Sequence, residues 1–155
     1  MRKLALVAMV VGLGVAACDS GVTDLDGENS CAGINGFYTA TSFIAVGTQN
    51  NQLTHNVLAN GATYTINFLS GNFTSTFRLN PGENPIQRQG AFVLQNGTIT
   101  MGNQTLFPGA ASGAQLFTCT ATGKNLELIA VNSSYMFPGQ TTAAPARITI
   151  QLSKP

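Results

Sequence analysis

Apolar and polar residues alternate with a period of two along most of the chain after Gly36. In residues 62–68, Tyr64, Ile66 and Phe68 share one face, and threonine or asparagine occupies the other. This alternation is typical of strands buried on one side. It predicts eight strands, at residues 37–46, 62–68, 73–79, 89–94, 98–101, 116–122, 126–132 and 146–152.

The predicted connections alternate strictly between long and short. In chain order they span residues 47–61, 69–72, 80–88, 95–97, 102–113, 123–125 and 133–145. In an up-and-down meander, every long connection then lies at one end of the sheet and every tight hairpin at the other. This favours an all-β fold, an eight-stranded antiparallel up-and-down barrel. A sandwich is the alternative, but Greek-key crossings would not produce this alternation.

The first 17 residues have the pattern of a secretory signal peptide. Arg2 and Lys3 precede an uncharged run at residues 4–17. As a helix this run would rise about 21 Å, short of a hydrocarbon core of about 30 Å. A permanent transmembrane helix is therefore the weaker interpretation.

The signal ends in Val15-Ala16-Ala17-Cys18, which resembles the lipobox of bacterial lipoproteins. The resemblance implies cleavage before Cys18, acylation of that cysteine and anchoring in a lipid bilayer on the extracytoplasmic side of the cell envelope. Ordinary cleavage that leaves an unmodified cysteine is the alternative. Residues 18–30 are acidic and lack hydrophobic periodicity, which predicts a flexible tether. The domain then spans residues 31–155.

The composition argues against several classes of function. Only 8% of residues are charged and the net charge is +1, so an electrostatic nucleic-acid binder is not expected. His55 is the only histidine, and Glu83 and Glu127 are the only carboxylate side chains of the domain. These residues form no recognisable catalytic or metal-ligand pattern. We therefore expect no enzyme activity, no catalytic residues, no metal and no cofactor.

Several strand and turn segments resemble the lipocalin-like domains of small bacterial lipoproteins. They are Gly36-Phe37-Tyr38, the run at 57–62, Gly71-Asn72-Phe73 and the run at 90–94. The resemblance implies an eight-stranded antiparallel barrel and, in many members, binding of an apolar ligand. No catalytic residues are implied.

Two cysteines remain beside the acylated one. In the predicted topology Cys31 precedes the first strand at the short-hairpin end, and Cys119 lies three residues before the sixth strand leaves at that end. An oxidising compartment favours a disulfide between Cys31 and Cys119. Two free thiols are the alternative.

The alternation also predicts which side chains line the interior of the barrel. They are Tyr64, Ile66, Phe68, Phe77, Leu79, Phe92, Phe117, Ile148 and Ile150. The strand charges Arg78, Glu127 and Arg147 should face solvent. A ligand inside such an apolar lumen should be small, neutral and apolar, because a buried charge would lack a partner.

Two long connections share a Phe-Pro-Gly turn, which places Phe107 and Phe137 at the open rim. There they either form an apolar gate or partner contact, or they fold back onto the barrel. Two functions follow from these alternatives. The first is a membrane-anchored binder of a small apolar molecule. The second is a structural or interaction lipoprotein with a solidly packed barrel, whose loops bind another envelope protein.

Overall fold

A computed structural model describes residues 31–50, 52–102, 106–107, 109–110 and 113–155. The predicted signal peptide, the acylation site at Cys18 and the tether lie outside the described residues. The described strands are β1 (Gly36–Gly47), β2 (Thr54–Asn56), β3 (Thr63–Leu69), β4 (Asn72–Arg78), β5 (Ile86–Gln95), β6 (Thr98–Met101), β7 (Gln115–Thr122), β8 (Asn125–Tyr135) and β9 (Ala144–Ser153).

Within the described part of the chain, β1 and β3–β9 form a closed barrel of eight antiparallel strands. From β3 to β9, each strand pairs with the next one in sequence, and β1 pairs with both β3 and β9. The first and last strands therefore close the sheet. The prediction of an up-and-down antiparallel barrel is confirmed.

The short connections are tight hairpins whose residues suit the backbone they adopt. Ser70 and Gly71 have φ of 49° and 77°, and Asn96 and Gly97 have φ of 49° and 70°. Two successive positive φ angles define the type I′ turn, which matches the twist of the flanking strands. All three tight hairpins lie at one end of the barrel, which we call the base. The long connections lie at the other end, the rim.

The segment before β1 closes the base. Cys31 and Ile34 are both buried, and Cys31 forms the expected disulfide with Cys119 of β7, with a Cα–Cα distance of 5.9 Å. The Cys119 N–H donates to the Gly97 carbonyl, 3.0 Å away, in the adjacent hairpin. The disulfide thus links the start of the domain to the side of the barrel formed by β6 and β7.

The short strand β2 was not predicted from the pattern. It lies within the first long connection and pairs with the rim end of β1, with His55 opposite Ala45. Three residues are too few to show an alternation, so the tertiary contact with β1 decides the conformation here.

The prediction that Leu79 lines the lumen is wrong. Its position has the same parity as Phe77, but β4 ends at Arg78 and Leu79 is 47% exposed at the rim. Past the end of a strand the alternation no longer fixes the direction of a side chain.

Candidate functional site

The interior of the barrel is the first candidate for a ligand site. Eight of the nine side chains expected there are buried, each at most 8% exposed: Tyr64, Ile66, Phe68, Phe77, Phe92, Phe117, Ile148 and Ile150. They come from β3, β4, β5, β7 and β9, so they converge from most sides of the closed sheet. Whether a ligand can join them depends on how these side chains pack.

Aromatic rings contact one another from the base to the rim. Towards the base, Phe68 packs edge-on against Tyr38 and Phe92, at centroid distances of 6.1 and 5.1 Å. Towards the rim, Phe43 packs edge-on against Tyr64 and Phe107, at 5.4 and 4.6 Å. These are ordinary edge-to-face separations for rings in a protein core. Aromatic contacts therefore occur near both ends of the barrel interior.

The polar groups inside the barrel are paired with each other. The Tyr64 hydroxyl forms a hydrogen bond with Ser75, and the Ser133 hydroxyl donates to Gln115 Oε1 at 3.0 Å. Burial raises the pKa of Tyr64 well above its usual range, and the bond to Ser75 opposes this shift. Among the described residues, no buried side-chain oxygen or nitrogen lacks a hydrogen-bond partner. The buried polar side chains of the described residues therefore need no ligand to complete their hydrogen bonds.

Two Phe-Pro-Gly turns close the rim. The Ala110 N–H donates to the Phe107 carbonyl, and the Gln140 N–H donates to the Phe137 carbonyl. The glycines Gly109 and Gly139 have φ of 88° and 79°. Both features match the type II turn that the sequence indicates.

The phenylalanines of these turns fold back onto the barrel, and each is 2% exposed. Tyr135, at the end of β8, packs edge-on against Phe137 at 5.0 Å and lies 6.4 Å from Phe107. We call Phe107, Tyr135 and Phe137 the rim cap. The alternative in which these rings form an exposed gate is not what the structure shows.

A small recess lies beside the rim cap. His55 Nδ1 and the Tyr135 hydroxyl are 2.6 Å apart and form a hydrogen bond. The recess has a volume of about 120 Å³, and its lining includes His55, Tyr135, Phe77, Leu79 and three asparagines (Asn56, Asn60 and Asn80). Ligand pockets usually measure about 300–1,000 Å³. This recess is too small for a drug-sized molecule.

Burial sets the protonation of the two residues that form this hydrogen bond. It lowers the pKa of His55 and raises the pKa of Tyr135 to about 12. At neutral pH the imidazole and the phenol are therefore both uncharged. The half-buried position of His55 in β2 differs from the solvated loop that its neighbours in the sequence suggest.

Arg88 of β5, which lies outside the predicted strand, pairs with the buried Ser75 and therefore lies on the inward-facing side of the sheet, where it is half-buried. The three strand charges that the alternation assigns to solvent point outward. Arg78 and Arg147 are exposed, and Glu127 accepts a hydrogen bond from Gln151 Nε2 on the outer face. The buried polar side chains of the described residues are Ser75, Gln115 and Ser133, all of them uncharged. Within the described residues, no three His, Cys, Asp or Glu side chains come close enough to hold a metal ion.

Sequence reasoning missed two buried side chains that pack against Phe107 at the rim end of the barrel interior. Phe43 and Tyr135 are both buried and both contact Phe107. Phe43 lies in the predicted first strand, but that strand shows no clear alternation. Tyr135 lies beyond the predicted end of its strand, since β8 continues to residue 135.

The chain matches no family model and no curated protein. In the described part of the chain there is no helix long and apolar enough to cross a membrane.

Proposed function

We propose that this chain is an acylated lipoprotein of the bacterial cell envelope whose barrel is a solid scaffold for contacts with another envelope protein. The observation that supports this proposal is the series of edge-to-face contacts between buried aromatic rings inside the barrel, which the rim cap continues at the rim. The lipobox at residues 15–18 supports the anchor. No residue is assigned a catalytic role.

The outer face of the barrel supports a role in protein contacts. Val93 of β5 pairs with Thr100 of β6, which pairs with Leu116 of β7, so the three side chains form a row across adjacent strands. Val93 and Leu116 are 62% and 60% exposed, and Val131 on the next strand is 54% exposed. Exposed apolar groups that cluster in this way mark interaction sites more often than single exposed residues do.

Binding of a small neutral apolar ligand is the competing function. Because the rim cap is buried and the interior rings contact one another, a ligand would require the cap to open and these rings to move apart. The two functions therefore differ in what the protein carries when it is isolated from its own membrane.

The first experiment combines native mass spectrometry of protein extracted from its membrane with titration of benzene, a small neutral probe. We expect the wild-type protein to carry no small molecule and to bind no probe. The variant Phe117→Ala is the matched control. It removes a ring that is fully buried, and engineered apolar cavities of this kind bind benzene. A stoichiometric apolar molecule on the wild-type protein would contradict the scaffold proposal.

A second experiment tests the outer face. A photo-crosslinking residue at Leu116 should give one discrete protein adduct in intact cells. The same residue at Thr63, an exposed outward position on β3, should not. Equal yields at the two positions would argue against a partner on the row formed by Val93 and Leu116.

A further inference from the structure

Large apolar side chains are exposed at the base of the barrel. Phe37 at the start of β1 is 49% exposed, Leu69 before the first tight hairpin is 63% exposed, and Leu94 before the second is 39% exposed. Hairpin ends are usually polar, because they face water on most sides. These three side chains therefore need a different explanation from that of a solvated turn.

Two of these side chains lie on the same surface. Phe37 pairs with Asn67, and Leu69 is two residues further along β3 on the same outer face. Diagonal neighbours in an antiparallel pair lie about 7–8 Å apart. Leu94 pairs with the buried Ile99, so it lies on the inward-facing side of β5 at its base end, where it is 39% exposed.

The connection to the membrane also leaves from the base. The disulfide holds Cys31 beside the hairpin of Asn96 and Gly97, because the backbone N–H of Cys119 donates to the Gly97 carbonyl. Cys18 lies 13 residues earlier in the sequence. A flexible segment of that length spans roughly 20 Å on average and at most about 45 Å.

We propose that Phe37, Leu69 and Leu94 insert into the interfacial layer of the bilayer that holds the Cys18 lipid, so that the barrel stands on the membrane by its base. This inference rests on the proposed acylation of Cys18. The tether keeps the base at a high effective concentration near the bilayer, so contacts too weak to bind a free protein become sufficient. The opposite rim is a strand length further away, roughly 30 Å for ten residues.

The charges at the base suit the headgroup layer. Lys124 is exposed in the third tight hairpin, where its ammonium group also donates to the Pro155 carbonyl oxygen. Lys154 Nζ lies 5.1 Å from the centre of the Tyr38 ring. Lysine side chains beside inserted apolar groups commonly place the ammonium at the level of lipid phosphates. Glu127, the nearest described carboxylate side chain, lies two residues up β8 and is bonded to Gln151.

The sequence contains no tryptophan, so one introduced tryptophan reports on a single position. The test compares Leu69→Trp at the base with Leu79→Trp at the rim, where Leu79 is 47% exposed. Each mature protein, purified as its cells produce it, is placed in vesicles of phosphatidylethanolamine and phosphatidylglycerol, with and without brominated acyl chains. We expect a blue shift and strong loss of emission with brominated lipid for Leu69→Trp, and neither change for Leu79→Trp.

Flotation of the same vesicles separates failure of this inference from failure of the proposed anchor. If both variants float with the lipid but Leu69→Trp is quenched no more than Leu79→Trp, the docked base is refuted and the anchor stands. If neither variant floats, the anchor and the docked base are both wrong.

Discussion

Tyr135 joins the separate parts of the rim. Its hydroxyl bonds to His55 of β2, and its ring packs against Phe107 and Phe137 from two different long connections. Its backbone also bridges to Ala110 of the first Phe-Pro-Gly turn. Closure of the lumen therefore depends strongly on one side chain at the end of one strand.

The hydrogen-bonded pair of His55 and Tyr135 predicts how the free energy of unfolding varies with pH. Burial lowers the pKa of His55 below its ordinary value of 6.5, so below about pH 6.5 the unfolded chain binds more protons and stability falls. Burial raises the pKa of Tyr135 to about 12 from 10.0, so between these values the folded chain holds more protons and stability falls as pH rises.

Urea unfolding between pH 5 and pH 11 should therefore show a broad maximum from about pH 7 to pH 9.5. In the His55→Gln variant, the free energy of unfolding should fall less steeply as the pH drops below about 7. Tyr135→Phe should reduce the alkaline loss without abolishing it, because burial also raises the pKa of Tyr64. An unchanged acid slope in His55→Gln would show that the imidazole does not set it.

Adjacent residues in β4 test the inward and outward faces. Phe77 is 2% exposed and Arg78 is exposed. Phe77→Arg should lose several kcal/mol of stability or fail to fold, because it buries a charge without a partner. Arg78→Ala should change stability by less than about 0.5 kcal/mol. Thermal unfolding measures both, and a larger loss in Arg78→Ala would mean that the assigned faces are inverted.

The glycines of the two Phe-Pro-Gly segments, Gly109 and Gly139, have similar φ angles of 88° and 79° but different surroundings. A Cβ atom added at Gly109 would lie 2.9 Å from the Tyr135 ring, whereas one added at Gly139 would have nothing within 4 Å. Both glycines have positive φ angles. The first turn packs directly against the ring at the centre of the rim cap, and the second leaves its glycine in open space.

This difference predicts unequal effects of the same substitution. Gly139→Ala should lose about 1–2 kcal/mol, the usual cost of a Cβ atom in the left-handed region. Gly109→Ala should lose a further ~1–3 kcal/mol from the clash with Tyr135. Denaturant unfolding of both variants gives the comparison. Equal losses of stability in the two variants would show that the first turn can shift enough to avoid the clash with the Tyr135 ring.

The strands and hairpins could be predicted because their signals are local. Alternation identified the eight barrel strands, and pairs such as Asn96-Gly97 marked tight turns whose positive φ angles the structure shows. The order of long and short connections then fixed the topology. The parts of the sheet that were missed include β2, residues 86–88 of β5 and the last residues of β8. Their conformation depends on pairing with other segments of the sheet.

The filling of the lumen could be predicted only in part. Parity identified most of the side chains that point inward, but it does not say whether their rings leave space between them. That depends on Phe43, Phe107 and Tyr135, which come from three different segments and meet only in the folded barrel. Leu79 shows a second limit of this prediction: the alternation of inward and outward side chains does not extend past the end of a strand.

At the scale of the whole molecule, the anchor at Cys18 is the most direct prediction. Cys18→Ser removes the sulfur that the lipobox resemblance assigns to acylation, so the precursor should stay uncleaved and incorporate no labelled fatty acid. Metabolic labelling with palmitate, followed by fractionation of the envelope, measures this. Labelled, processed protein from the Cys18→Ser variant would show that the lipobox assignment is wrong.

The closure of the sheet by β1 and β9 also affects how quickly the protein can fold. These two strands form the pairing with the greatest sequence separation, shown by a hydrogen bond from Thr41 to the Gln151 carbonyl across 110 positions. Contacts that span so much of a chain slow folding, because the intervening segment loses its freedom before they form. Until β9 has been synthesised and has left any export channel, β1 and β8 both present unpaired edges that can pair with other chains. The extent of aggregation during biogenesis therefore depends on how long the edges of β1 and β8 stay unpaired before β9 binds to both of them.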